Sequence, residues 1–202
     1  MTPKTPAEQT PIGRPASNSF DETRLREWMV EYQAGRLEAF DRVYDAIAGP
    51  LRRYLTALSR NASNAQDLLQ ETFLQIHRSR RTYDPDHPLL PWAFAISRHV
   101  YLMSLRAARR RPISGSEEFD EAGFPVPPEV EGLADRLALR SAVGRVGAER
   151  REAMLLHHVW GFSFREVGAI QGTTETAAKL RSSRGMAELR RILGESSKEV
   201  PR

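Results

Sequence analysis

Three features of the 202-residue chain predict an all-α fold of two helical domains joined by a flexible acidic linker. Apolar residues recur at helical spacing over residues 20–111 and again from Leu133 almost to the end. Between these stretches, Pro112–Gly132 is acidic, holds Pro125, Pro127 and Pro128, and shows no helical period. No β-hairpin signal and no internal repeat interrupts the pattern. The expected division is a disordered Pro-rich tail over 1–19, a helical domain over 20–111, the linker over 112–132, a second helical domain over 133–194 and a short tail over 195–202.

The elements follow in order. Leu25, Trp28, Met29 and Tyr32 form one apolar stripe. Phe40, Val43, Tyr44 and Ile47 start a second, which continues through Leu51, Tyr54, Leu55 and Leu58 with an expected break at Gly49-Pro50. A third helix is predicted from Ser63 or Asn64, with Leu68, Leu69, Phe73 and Ile76 inward. Thr82–Pro91 reads as a proline-rich loop, and Trp92–Arg110 as a fourth helix. After the linker, Leu137, Val143 and Val146 mark one helix. Ala153, Leu155, Leu156 and Val159 mark the next, stopped by Gly161.

Gly161–Arg184, GFSFREVGAIQGTTETAAKLRSSR, has the design of a helix-turn-helix. Ser163 can cap the first helix with Glu166 completing a capping box, and Phe164, Val167 and Ile170 face inward. Gly172 is a stop signal, and Thr173 or Thr174 can cap the second helix. That helix carries Lys179, Arg181 and Arg184 beside Thr176, Ser182 and Ser183, which suits a helix lying in the major groove. The alternative is an ordinary helical hairpin with its charges on a solvated face.

Charge is segregated. The net charge is +4. Eight arginines lie between Arg78 and Arg111, against Asp84 and Asp86, whereas Pro112–Asp135 holds seven acids and no Lys or Arg. This implies basic surfaces for a polyanion separated by a segment that is not one. There is no cysteine, so disulfides and thiolate metal sites are excluded. The apolar run Pro88–Ile96 is too short for a bilayer, and the N-terminus lacks a signal-peptide core, which points to a cytoplasmic protein without membrane insertion. No HExxH, GxSxG or phosphate-binding glycine loop occurs, and His157 and His158 are adjacent and diverge on a helix. No catalytic residue, metal site or cofactor is therefore assigned.

Two further surfaces stand out. Tyr83, Trp92, Phe94 and Tyr101 interleave with arginines around the fourth helix. Aromatics and arginines together suit partly melted DNA, although most of Trp92, Phe94, Ile96 and Leu102 are expected to be core. The exposed end Arg106–Arg111 suits phosphate contact. On the third helix, Asp67, Gln70, Glu71 and Gln75 share one side, a solvated face or a polar docking surface for a protein partner.

Asn64–Arg81 and Pro91–Arg111 resemble the region 2 helices of the extracytoplasmic-function sigma factors of bacterial RNA polymerase. Val146–Leu193 is similar to their region 4. The resemblance covers nearly everything from residue 24 to residue 194, and the two motifs in this order, with a short linker, are specific. It implies a non-enzymatic factor that binds core RNA polymerase and directs promoter recognition, melting and transcription initiation. Asp67, Leu69, Gln70 and Glu71 would dock on the polymerase β′ clamp, with the β subunit also contacted. Tyr83, Asp84, His87, Trp92, Arg98, His99, Arg106, Arg109 and Arg110 would serve the minus-ten element, with the loop Thr82–Pro91 capturing a flipped base. Arg165, Thr174, Glu175, Thr176, Lys179, Leu180, Arg181, Ser183 and Arg184 would serve the minus-thirty-five element. The linker would thread towards the RNA exit path, and an anti-sigma factor is an implied partner.

The chain departs from the family pattern at several points. His99 and Met103 replace frequent Asn and Asp. Ala178 and Ser182 stand at usually larger buried positions, and Leu180 at a normally polar one. Gly147-Ala148 replaces Pro-Pro. If Leu180 were buried, the recognition helix would be turned by about one residue. The competing function is a helix-turn-helix regulator with an N-terminal sensor or interaction domain, which has no need of the Asp67–Glu71 surface or the arginine run.

Overall fold

The computed structural model describes residues 21–110 and 132–196. The tails and the acidic segment up to Glu131, on which the linker expectation falls, lie outside the described residues, as does Arg111. Among the described residues the regular structure is entirely helical, as expected.

Helix α1 (Glu22–Gln33) begins where the Asp21 carboxylate accepts from the Thr23 and Arg24 amides, at 3.1 and 3.2 Å. Its Leu25, Met29 and Tyr32 are buried. Helix α2 (Glu38–Ser59) runs unbroken through Pro50. This corrects the expected break. Gly49 has no Cβ to collide with the proline ring. Ala39, Val43, Ile47, Leu51 and Leu55 are fully buried on one stripe, and this packing offsets the single ladder hydrogen bond that proline removes. The helix ends at Arg60 in the left-handed region, φ 55°.

Helix α3 (Ala62–Ser79) starts earlier than predicted, because Asn61 rather than Ser63 is the cap, accepting from the Asn64 amide at 2.9 Å. Helix α4 (Leu89–Arg110) also starts early. Pro91 falls in its first turn, where a missing N–H costs nothing, and the Leu89 amide donates to the Glu22 carboxylate at 3.0 Å. Helices α1–α4 share one core. Its buried hydroxyls, Thr72 and Ser97, donate to the carbonyls of Leu68 and Ala93.

Helices α5 (Leu133–Arg145), α6 (Ala148–His158), α7 (Phe164–Gln171) and α8 (Glu175–Ser196) form the second half. Buried Arg151 donates to the carbonyls of Gly144 and Val146, both at 3.1 Å, and ties the α5–α6 turn. Gly185 lets α8 press on α6: a Cβ there would lie 2.8 Å from the Arg150 carbonyl oxygen.

The two halves pack against each other through α2 and α4 on one side and α6, α7 and the turn after α6 on the other. Tyr54, Phe94, Trp160 and Phe162 meet there with ring centroids 4.8–5.8 Å apart; Tyr54 and Phe94 are tilted, and the other three pairs have the edge-to-face geometry that aromatic quadrupoles favour. Tyr54 and Phe94 are 1% exposed, Phe162 3% and Trp160 5%.

Candidate nucleic-acid interface

The helix-turn-helix is built as its sequence requires. Ser163 caps α7: its Oγ accepts from the Glu166 amide at 3.3 Å, and its own amide donates to the Glu166 carboxylate at 2.7 Å. Gly172 ends α7 at φ 64°, a conformation an L side chain resists. The turn is tight enough that a Cβ on Gly168 would meet the Thr173 carbonyl oxygen at 2.9 Å. Thr174, not Thr173, caps α8, accepting from the Ala177 amide at 3.2 Å.

The orientation of α8 resolves the question raised by its unusual residues. Ala178 is fully buried and Ser182 is 1% exposed, whereas Leu180 is 48% exposed. The helix is therefore not turned; small side chains fill the buried stripe and let it approach the neighbouring helices closely. Thr176, Lys179, Leu180 and Ser183 share the outward face, with Thr174, Glu175 and Arg184 also exposed, and Arg165 exposed on α7. Arg181 departs from expectation. It turns back onto the protein, 3.0 Å from the Glu149 carboxylate and donating to the Gln171 carbonyl oxygen at 3.2 Å.

The second basic surface is the outer end of α4. His99, Arg106, Arg109 and Arg110 are all exposed. Arg98 is not free: its Nε lies 2.9 Å from Glu152 on α6, and only 17% of its side chain is exposed. The loop before α4 also differs from a ring-lined base trap. Tyr83 is 3% exposed, packs on Trp92 at 5.3 Å and donates its hydroxyl to the His87 carbonyl at 2.6 Å. Burial pushes its pKa up to about 12. Gln33 fixes the loop by donating to the carbonyls of Arg80 and Tyr83. Trp92 is half-buried, and Asp84 and His87 are the loop's open polar groups, 3.0 Å apart. Asp84 is held below the usual carboxylate range, first by the Asp86 amide and then by His87.

The third surface is the side of α3. Asp67 and Gln70 are exposed and Glu71 half-exposed, accepting from Gln75 at 2.8 Å with Arg78 at 3.7 Å. Leu69 is 3% exposed and serves as a wall rather than an anchor. Together with Gln70 it lines an open groove of about 550 Å³, whose other walls are Phe40, Tyr44, Phe73, Leu74 and His77. Sequence reasoning missed these apolar residues. Leu74 and Tyr44 are 51% and 39% exposed, and an aromatic floor open to water beside a carboxylate rim suits protein docking. His77 is held at the groove's end by a hydrogen bond with the Tyr32 hydroxyl. Among the described residues no cluster of His, Cys, Asp or Glu could hold a metal, and no helix is long and apolar enough to cross a membrane.

Similarity to known proteins agrees with this arrangement. Residues 43–111 match the family model for sigma-70 region 2. The chain is 34% identical over 174 residues to the RNA polymerase sigma factor CarQ of Myxococcus xanthus, covering 86% of this chain and 100% of that protein. It is 31% identical over 157 residues to the ECF RNA polymerase sigma factor SigL of Mycobacterium tuberculosis, covering 76% of this chain and 88% of SigL. Its fold is similar to that of CnrH, solved with the cytosolic domain of CnrY: TM-score 0.64 at 22% identity over 85% of this chain and 98% of that one. It is also similar to a sigma factor RpoE, solved with the anti-sigma factor NepR from Bartonella quintana. There the TM-score is 0.62 at 25% identity, over 77% of this chain and 96% of that one. Region 2 in the first half, a helix-turn-helix in the second and full-length similarity to CarQ converge on one conclusion: the chain belongs to the ECF sigma factors of RNA polymerase and directs transcription initiation.

Proposed function

We propose that this chain carries out that role through three separate surfaces and performs no chemistry of its own. The α3 groove, with Asp67, Gln70 and Glu71 on its rim, receives the β′ clamp of core polymerase. The outer end of α4, through His99, Arg106, Arg109 and Arg110, follows the phosphates of the minus-ten element, and Asp84 and His87 offer polar groups to an unpaired base. The outward face of α8 reads the minus-thirty-five element in the major groove.

The observation that carries this reading is the exposure of two basic helical surfaces, one in each half, beside a third that is apolar and uncharged at its floor. A regulator that reads an operator through its helix-turn-helix alone leaves the α3 groove and the arginine run without a task. By its relation to a sigma factor solved with the anti-sigma factor NepR, the chain is proposed to have an anti-sigma partner, and as a relative of RNA polymerase sigma factors it is proposed to act in the cytoplasm.

Run-off transcription tests the proposal. Purified core polymerase and the DNA upstream of the chain's own gene should yield a discrete transcript only when the protein is added. Promoter binding by the chain alone, with no comigration with core polymerase and no transcript, would favour the regulator instead.

A further inference from the structure

Helix α4 outlasts its core. Its last buried residue is Val100, yet the helix continues for ten residues to Arg110, about 15 Å at ~1.5 Å per residue. Along this outer end His99, Met103, Arg106 and Arg110 recur at spacings of four, three and four, so they share one outward stripe. All four are exposed.

Arg106 and Arg110 have a task on this stripe, the phosphates of the minus-ten element. Met103 has none so far. It is 46% exposed, and its sulfur accepts from Arg106 Nη1 at 3.6 Å. That contact holds a flexible, unbranched side chain on the same side as the guanidinium. A single exposed apolar side chain needs no explanation on an ordinary surface. Here it stands between His99 and Arg106 on a basic helix end, at a position where related chains frequently carry Asp. A carboxylate there could accept from a cytosine amino group; a thioether exchanges that option for an apolar contact.

We propose that Met103 is a specificity-determining residue of the minus-ten contact, which selects thymine by packing on its C5 methyl group in the major groove. The proposal rests on the sigma-factor reading of α4. A major groove ~12 Å wide admits a helix. With Arg106 on a phosphate, Met103 stands almost one turn nearer the start of α4, ~4.5 Å along the axis, within reach of an adjoining base edge. Methionine has no donor and only a weak acceptor. Guanine O6 and N7, and the amino groups of adenine and cytosine, therefore offer it little. The thymine methyl is the feature of the groove that an apolar side chain can select. The stripe divides its labour: Arg106 and Arg110 supply affinity for any sequence, and Met103 discriminates at one position.

Holoenzyme assembled from core polymerase and the full chain tests this by selection from a promoter library randomised over the minus-ten element. Wild type should select thymine at a position where Met103→Ala accepts all four bases. Deoxyuridine at that position removes only the C5 methyl and leaves base pairing intact. It should weaken wild-type binding about 4-fold, the scale of one buried methyl group, and leave Met103→Ala unaffected. Met103→Leu keeps an apolar side chain and should stay sensitive to the methyl, whereas Met103→Asp should lose the sensitivity. Since Met103 is exposed, every variant should keep wild-type helicity by circular dichroism. Deoxyuridine tolerated by wild type, or the same loss in Met103→Ala, overturns the assignment. So does a Met103→Ala chain that binds all sequences more weakly with its base preference intact. The two levels separate cleanly. A sequence-specific promoter complex whose thymine preference ignores Met103 removes only this assignment. Failure of the wild-type chain to form such a complex with core polymerase removes the sigma-factor reading as well.

Discussion

Arg98 on α4 and Glu152 on α6, 54 residues apart in sequence, share a hydrogen bond of 2.9 Å with 17% and 5% of their side chains exposed. Such a pair is weak evidence of net stability, because both ions gave up water to meet. Breaking it from one side is costly, because the remaining charge stays buried.

A double-mutant cycle should therefore be strongly non-additive. Arg98→Ala and Glu152→Ala should each lower unfolding free energy by about 3 kcal/mol or more, and the double variant should lose clearly less than the sum. Urea unfolding followed by circular dichroism measures all four proteins. Additive losses would mean that the two side chains are not coupled and that the halves are held by the aromatic contacts alone.

At the α3 groove the apolar residues should matter at least as much as the charged rim. Leu74→Asp puts a charge where the groove is open and should weaken core-polymerase binding by ~10-fold or more, about the value of one buried aliphatic side chain. Asp67→Ala with Glu71→Ala should also weaken it, since charged groups desolvated at an interface count for about 2 kcal/mol or more. Neither change touches the core, so helicity should be unchanged. Wild-type affinity for Leu74→Asp in a pull-down would remove the groove from the docking surface.

The arginines at the end of α4 are expected to contact phosphates and not bases. Replacing Arg106, Arg109 or Arg110 by Ala should weaken binding to forked promoter DNA of any sequence alike. Each replacement should reduce the slope of log affinity against log salt by about one. A loss confined to particular minus-ten sequences would mean that the arginine reads a base.

Local signals were legible wherever the sequence decides its own geometry. Ser163 with Glu166, Gly161 and Gly172 mark the helix-turn-helix because capping and positive φ are properties of single residues. The inward stripe of α2 followed from periodicity, but its passage through Pro50 did not, because tertiary burial overrode a local penalty. Long-range chemistry was not legible. Glu152 looked like any acid on a charged helix, and nothing in its neighbourhood announced Tyr54, 98 residues away, as its donor. For the same reason the ion pairs of Arg98 with Glu152 and of Arg181 with Glu149, and the burial of Tyr83, left no signal in the sequence. The α3 groove was half visible: its rim followed from three- and four-residue spacing on one helix, but its floor combines α3 with Phe40 and Tyr44 of α2.

Two tyrosines should make the fold sensitive to alkali. Burial raises the pKa of Tyr83 from 10.0 to about 12, and raises that of Tyr54 more strongly, with Glu152 adding to the burial effect. The unfolded chain releases these protons first, so their contribution is complete below pH ~10 and drains away as the pH rises towards 12. Tyrosinate absorbance should show these two ionising late, together with unfolding. Tyr83→Phe should be less stable than wild type at neutral pH, where it lacks a hydrogen bond, and the gap should narrow above pH ~10. A constant gap across that window would mean that Tyr83 ionises normally.

The outward face of α8 gives the sharpest test of promoter choice. Leu180 is 48% exposed while Ala178 and Ser182 are buried, which fixes Thr176, Lys179, Leu180 and Ser183 as the residues that can reach base edges. Lys179 can donate to guanine O6 and N7, and Leu180 can touch a thymine methyl; each good contact discriminates by about 1–3 kcal/mol. Lys179→Ala should therefore relax preference at one or two adjacent minus-thirty-five positions, and Leu180→Ala at a neighbouring one. Arg184, at the edge of the face, should act on phosphate, so Arg184→Ala should weaken all promoters alike. Selection from a randomised minus-thirty-five library with each variant separates these outcomes. An unchanged base preference for Lys179→Ala, with intact affinity, would show that a different face of α8 enters the groove.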